Sequence, residues 1–273
     1  MREILYGRQP VRETLRANRR QIFKLLLAHG VKPTGIVSDV LSLAQSRDIP
    51  VQTVDRRELE KLGGEVNHQG LAAEVSGYPY LYLTTLLDPA RQAGIPPFLL
   101  LLDHIQDPQN LGSLLRTAEA AGIHGVVIPG RRAAGVTPAA VRASAGAAEH
   151  VRVAQVTNLV QAMERLKAEG LWFAGLEAEH SARYHTQADL SGPLGLVVGS
   201  EGRGLARLVR ETCDFFIRLP MDGQVESLNA AVAGGIALYE ARRQRDSASR
   251  GSTGEPAAED VGQAPGRSQR PTA

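Results

Sequence analysis

Polar residues able to bind and orient a substrate are concentrated in three short blocks of this chain. The first is Asn110-Leu111-Gly112-Ser113-Leu114-Leu115-Arg116-Thr117-Ala118. The second is Gly199-Ser200-Glu201-Gly202-Arg203-Gly204-Leu205, directly after the apolar run Leu194–Val198. The third is Ile217-Arg218-Leu219-Pro220-Met221, followed by Glu226-Ser227-Leu228-Asn229-Ala230-Ala231. A glycine-rich segment at the end of a strand can bring main-chain N–H groups against a ligand with no side chain in the way. The spacing of Gly199, Gly202 and Gly204 is G-x-x-G-x-G, which departs from the dinucleotide fingerprint. Gly204 is followed by Leu205 and Ala206, so the Gly-Lys-Ser/Thr of a phosphate-binding P-loop is also missing. Taken singly, each piece has a plain structural alternative. The glycine block fits an ordinary strand-to-helix turn, Asn110 fits a helix N-cap, and Arg116 fits a surface arginine.

The chain as a whole narrows the function classes. Its 273 residues suffice for two domains, and 43% hydrophobic with 22% charged residues is the composition of a soluble globular protein. Aromatic residues make up only 4%, too few for a platform that stacks many bases. A net charge of +2 argues against a protein defined by overall basicity. The positive charge is localised instead, with Arg2, Arg8, Arg12, Arg16, Arg19, Arg20 and Lys24 crowding the amino end. These arginines either solvate a helix face or contact phosphates. The single cysteine, Cys213, excludes an internal disulfide, and no Cys/His constellation points to a metal. No apolar run has the length of a membrane span, and the amino end lacks a signal-peptide core, which points to the cytoplasm.

These blocks need elements to position them. Residues 1–77 read as a small α/β unit: strand character at Phe23–Ala28, Gly35–Ser38, Val51–Val54 and Leu71–Val75, with helices between them. Asp55 followed by Glu58 forms a capping-box pattern for a helix from Arg56 to Leu62. Residues 78–97 hold Pro79, Pro89, Pro96 and Pro97 and read as a connection, with a short helix over Leu81–Leu87. From 98 to 245, strands at Phe98–Leu102, Gly125–Ile128, Val151–Ala154, Leu171–Gly175, Leu194–Val198 and Asp214–Leu219 alternate with helices. That alternation predicts an α/β fold with a mostly parallel sheet. The helix carrying the first block is expected from Asn110 to Gly122. Small residues from Pro138 to Ala148 predict a helix that packs closely or walls a ligand. A long helix from Leu228 to Arg245 is expected to bury Leu228, Val232, Ile236 and Leu238. Residues 246–273, rich in Ser, Gly, Pro and Ala, read as a disordered tail.

In order and spacing, the three blocks resemble the motifs of the SpoU family of RNA ribose methyltransferases, also called the TrmH family. The resemblance covers residues 98–245. The amino unit, opening on Tyr6-Gly7 and closing on His68-Gln69-Gly70, resembles the ribosomal-protein-like RNA-binding domain of the members that act on bacterial ribosomal RNA. The resemblance implies a SPOUT-type sheet whose carboxyl end is threaded into a trefoil knot. It also implies a homodimer with the knot region and final helix at the subunit contact. S-adenosyl-L-methionine (AdoMet) is the implied cofactor, held by main chain at Gly199, Leu219 and Leu228, with no metal. Asn110, Arg116, Glu201, Ser227 and Asn229 match the family's active-site positions.

Those matches imply methyl transfer to a ribose 2′-hydroxyl, with a guanosine of large-subunit ribosomal RNA as the first reading. Transfer RNA or another ribosomal site is the alternative within the same class. A non-catalytic RNA-binding assembly factor is the alternative outside it. A guanidinium with a pKa above about 12 accepts protons poorly. Arg116 is therefore expected to grip phosphate and ribose while Glu201 fixes its orientation, the proton passing to phosphate or water.

Overall fold

The computed structural model describes residues 2–63, 67–179, 181–225 and 227–253. Among these, the strands form two sheets. The first contains β1 (Arg2–Tyr6), β2 (Ile22–Ala28), β3 (Val51–Val54) and β4 (Leu71–Ser76) in the order β1-β4-β2-β3. Strand β4 is antiparallel to both β1 and β2, and β2 is parallel to β3. Helices α1 (Arg8–Ala17), α2 (Ile36–Gln45) and α3 (Arg56–Gly63) complete this unit. The expected strand at Gly35–Ser38 is instead the start of α2. Val37, Val40 and Ala44 are its buried residues, spaced three and four apart, which is the period of a helix face.

The second sheet holds β5 (Phe98–Asp103), β6 (Gly125–Pro129), β7 (Val153–Val156), β8 (Trp172–Leu176), β9 (Arg183–Tyr184), β10 (Leu194–Gly199) and β11 (Phe215–Arg218). Their order is β7-β6-β5-β10-β8-β11-β9, and every pairing is parallel. Helices α4 (Asp88–Ala93), α5 (Pro108–Ala120), α6 (Pro138–Ala143), α7 (Leu159–Ala168), α8 (Arg207–Thr212) and α9 (Ala230–Thr253) accompany it, with 3-10 turns at Leu83–Leu87 and Ala147–Glu149. Every residue of β5 and β10 is buried, as their unbroken apolar sequences require of central parallel strands. These strands lie side by side, with Asp103 in register with Gly199. From β5 the chain goes on to β6 on one side, and from β10 to β11 on the other. Their carboxyl ends therefore form a switch point, where open α/β sheets place ligands.

Close helix packing fixes the course of the chain beyond β5. A Cβ on Gly112 of α5 would lie 2.4 Å from Ala143 Cβ and 2.7 Å from Ala140 O, so α5 and α6 touch almost backbone to backbone. The small residues of 138–148 thus serve tight packing. The expected single helix there breaks after Ala143, because Ala145 and Gly146 adopt φ of 52° and 90°.

The amino-terminal arginines make contacts within the chain. Arg20 and Glu149 are buried together, with side chains 0 and 1% exposed. Arg20 Nε donates to Glu149 Oε2 at 3.0 Å, and its NH1 donates to Glu3 Oε2 at 2.6 Å. The approach of NH2 to Glu149 Oε1 at 2.9 Å is an ion contact without hydrogen-bond alignment. Burial pushes the Glu149 carboxyl up, and Arg20 partly offsets this by favouring the ionised form. Arg19 donates to the carbonyls of Glu149 and Val151, and Arg12 and Arg16 pair with Glu13. Arg2 and Lys24 share Glu74, and Arg8 donates to Gln69. Arg12, Arg19 and Arg20 are therefore largely committed within the chain, whereas Arg2, Arg16 and Lys24 pair with acids yet keep 63, 47 and 37% of their side chains exposed.

Tyr78 and Tyr80 fasten the 78–97 segment. Tyr78 Oη donates toward Ala148 O and Val151 O at 2.9 and 2.8 Å, and Tyr80 Oη accepts from Val136 N at 2.8 Å. At the other end of the chain α9 runs on through Thr253, past the boundary expected at Arg245. Residues 254–273, expected to be disordered, lie outside the described residues.

Removing one member of a buried ion pair leaves the other charge uncompensated. Arg20→Ala is expected to lower the unfolding free energy by about 3–5 kcal/mol in urea titrations. Arg16→Ala, which removes a partly exposed guanidinium, is expected to change it by less than about 1 kcal/mol.

Candidate functional site

Asp103, at the carboxyl end of β5, is fully buried and joins two loops. Its Oδ2 accepts from Ala206 N at 2.6 Å, which ties the end of β5 to the glycine-rich loop after β10. Its other oxygen pairs with His104 Nδ1. The loop itself is closed by reciprocal hydrogen bonds between Ser200 and Gly204, at 3.2 and 2.9 Å. A Cβ at Gly199 would sit 2.3 Å from Gly204 C and 2.6 Å from Leu205 N, so only glycine allows the loop to fold back on the strand.

Helix α5 starts two residues earlier than the sequence predicts. Asp107 is its N-cap, accepting from Gln109 N at 2.9 Å, and Pro108 occupies the first turn. Asn110 is thus released from capping, and its amide faces the other two blocks. Asn110 Nδ2 donates to Glu201 Oε1 at 2.9 Å, and its Oδ1 accepts from Asn229 Nδ2 at 2.9 Å. Asn229 Nδ2 also donates to Glu201 Oε1. At the same time Asn229 Oδ1 accepts from Ala231 N and Val232 N, at 2.9 and 3.2 Å, and so caps α9. Ala230 N points at the same Glu201 oxygen from 3.4 Å. One carboxylate oxygen therefore gathers side chains from all three sequence blocks.

The remaining expected residues lie around this centre. Arg116 is exposed, and among the described residues it makes no hydrogen bond or ion pair. It sits six residues along α5 from Asn110, about 9 Å further along the axis and rotated well away from it. The expected contact between Glu201 and Arg116 is accordingly replaced within the chain by the two asparagine amides. Ser227 is exposed, Leu219 is half-buried just after β11, and Leu228 is 37% exposed. Gly199, the last residue of β10, is buried where the glycine loop begins, and the three residues expected to hold AdoMet thus differ in exposure.

Next to Asn229 a shallow groove of about 510 Å³ runs between α5 and α9, lined by Ser113, Thr117, Val232, Ile236 and Tyr239 among others. Val232, Ile236 and Tyr239 are 51, 40 and 53% exposed, whereas Leu238 is fully buried. Of the four apolar residues expected to be buried in this helix, only Leu238 is. Helical period identifies an apolar face, but it does not say whether this chain or another covers it.

Sequence reasoning missed the loop Gly130-Arg131-Arg132-Ala133-Ala134-Gly135, which hydrogen-bonds to the turn ahead of α5. Two adjacent arginines between glycines, after a strand, were the available signal. Among the described residues no group of three or more His, Cys, Asp or Glu could hold a metal ion, and no helix is long and apolar enough to cross a membrane.

Comparison with known proteins identifies the family of both units. The profile of the SpoU rRNA Methylase family matches residues 97–239, and that for RNA 2'-O ribose methyltransferase substrate binding matches residues 4–81. A Bacillus subtilis protein, YacO, provisionally named a TrmH family tRNA/rRNA methyltransferase, is 44% identical over 245 residues, covering 89% of this chain and 96% of its own. The crystal structure of the SpoU methyltransferase AviRb from Streptomyces viridochromogenes, in complex with AdoMet, aligns with a TM-score of 0.75 at 26% identity, covering 90% of this chain and 91% of that one. An AdoMet-bound rRNA methyltransferase from Sinorhizobium meliloti aligns with a TM-score of 0.72 at 25% identity, over 89% of this chain and 87% of its own. With its two matched regions, its parallel sheet and its AdoMet-binding relatives, this chain belongs to the SpoU (TrmH) family of AdoMet-dependent RNA methyltransferases.

Proposed function

We propose that the chain methylates the 2′-hydroxyl of a guanosine ribose in large-subunit ribosomal RNA. The observation that carries this reading is the convergence of Asn110 and Asn229 on Glu201 at the carboxyl ends of β5 and β10. An amino unit matched as substrate-binding supports an RNA larger than the site alone could select. The Sinorhizobium relative, named an rRNA methyltransferase, aligns through both units and favours ribosomal over transfer RNA. The choice of guanosine rests on resemblance to members with the same two-unit arrangement.

Gly199, Leu219 and Leu228 would hold AdoMet through main chain and apolar contact. The cofactor supplies a methyl group on a positively charged sulfur, already a good leaving group. The chain's own task is then alignment and removal of a proton from a very weak acid. Glu201 fixes the two asparagine amides, which with Ser227 orient the nucleotide and shape the pocket. Arg116 presents a planar donor pair to the neighbouring phosphate and ribose. The hydroxyl proton leaves to that phosphate or to water as the new C–O bond forms and the S–C bond breaks.

The uncovered face of α9 fits a second copy of this chain, and its groove reaches Asn229. A homodimer through Val232, Ile236 and Tyr239 would bury that face against the site.

Mapping of 2′-O-methyl groups in RNA from cells lacking the gene tests the function. One guanosine of large-subunit ribosomal RNA is expected to lose its methyl group. Loss confined to transfer RNA would select the alternative substrate, and no loss at all would select the non-catalytic assembly factor. Arg116→Lys keeps the charge but not the fork, and is expected to lower kcat about 10- to 100-fold with AdoMet affinity unchanged. Near wild-type turnover would contradict the oriented-fork role. Val232→Glu with Ile236→Glu is expected to give a monomer by sedimentation and to abolish transfer.

A further inference from the structure

The loop between β6 and α6 holds two cations that no fold contact explains. Arg131 and Arg132 are exposed, and among the described residues neither guanidinium makes a hydrogen bond or ion pair. Arg132 holds φ at 56°, a left-handed conformation that is unfavourable for an arginine and accumulates at functional positions. The loop is nevertheless held firmly by main chain. Gly130 N donates to Val156 O at 2.8 Å and Ala134 N to Ile105 O at 2.7 Å. Val136 N donates to Tyr80 Oη at 2.8 Å, and Gln106 Nε2 donates to Arg132 O at 3.4 Å.

Two of these bonds reach Ile105 and Gln106, in the turn that leads into α5 and Asn110. The arginine pair is thus tied to the turn that leads into α5 and Asn110. Near the amino end, by contrast, Arg2, Arg12, Arg16 and Arg20 each pair with an acid. The loop's other residues are alanine, glycine, threonine and the buried Val136, which offer no exposed large apolar anchor of the kind a protein partner would need. Adjacent, uncompensated guanidiniums suit consecutive phosphates of a nucleic-acid strand.

We propose that Arg131 and Arg132 form a phosphate clamp that holds the RNA strand flanking the methylated ribose. The clamp positions and binds, and takes no part in the bond-making step. This inference rests on the RNA-methylating function proposed above and adds two cations to Arg116 as grips on the substrate.

Binding of a mixed-sequence single-stranded oligoribonucleotide, measured against salt concentration, tests it. Arg131→Ala with Arg132→Ala is expected to weaken RNA binding roughly tenfold at low salt and to reduce the slope of log affinity against log salt by about 1.4. AdoMet affinity should stay unchanged, and the KM for RNA should rise while kcat at saturating RNA is kept. Arg131→Lys with Arg132→Lys should retain the salt slope. Arg132→Gly alone should raise Tm by relieving the left-handed strain, yet still weaken RNA binding, a combination that a purely structural role would not produce. An unchanged RNA affinity and salt slope in the folded, AdoMet-binding double alanine variant would overturn the clamp. If that happens while the wild-type protein transfers methyl groups, the functional reading stands without it. Wild-type protein that binds RNA and AdoMet but transfers nothing would overturn the function and leave the clamp supported by its salt slope.

Discussion

One oxygen atom, Oε1 of Glu201, holds the candidate site together. It accepts from the amides of Asn110 and Asn229 and faces the first N–H of α9, so three segments far apart in the chain meet at a single acceptor. Charge-assisted hydrogen bonds contribute on the order of 1.5–3 kcal/mol each where water is excluded, and less at an exposed group such as this one. Their main effect here is geometric. Each amide is committed at both ends: Asn110 between Glu201 and Asn229, and Asn229 between Glu201 and the start of α9. With the amides fixed in this way, the cluster has little freedom to reorganise.

That convergence depends in turn on the sheet. Parallel pairing of β5 with β10 puts Asp103 opposite Gly199, and the buried Asp103 carboxylate holds the glycine loop through Ala206. Close packing of α5 on α6 at Gly112 sets the direction of the helix that carries Asn110. The buried Arg20 and Glu149 pair, with Tyr78 and Tyr80, docks the amino unit against the same layer. The substrate-binding and methyl-transfer regions are thereby joined by satisfied polar contacts as well as by chain connectivity.

Much of this was legible in the sequence, because alternating apolar runs and helical periods impose an α/β fold with a parallel sheet. The three blocks were visible as motifs, and their resemblance to one family named the chemistry. Other features depend on three-dimensional neighbours. Asn110 reads as well as a cap as it does as a site residue until Asp107 is seen to take the cap. Arg19 and Arg20 look like an RNA-binding surface until the acid and carbonyls opposite them are known. Val232 and Ile236 carry the period of a buried face, yet within one chain they remain uncovered. Arg132 gives no local sign that its backbone is left-handed. The path of a knot is a property of the whole chain, which periodicity does not encode; family resemblance supplied that expectation.

The central claim is that the cluster around Glu201 orients an RNA ribose for methylation from AdoMet. Single-turnover transfer from methyl-labelled AdoMet to ribosomal RNA, with the product digested by alkali, measures it directly in wild-type protein and in Glu201→Ala. Label is expected in alkali-resistant dinucleotides for the wild type, with a rate at least about 100-fold lower for the variant while its fold and AdoMet binding are retained. Label on a base, or an undiminished rate in Glu201→Ala, would contradict the claim.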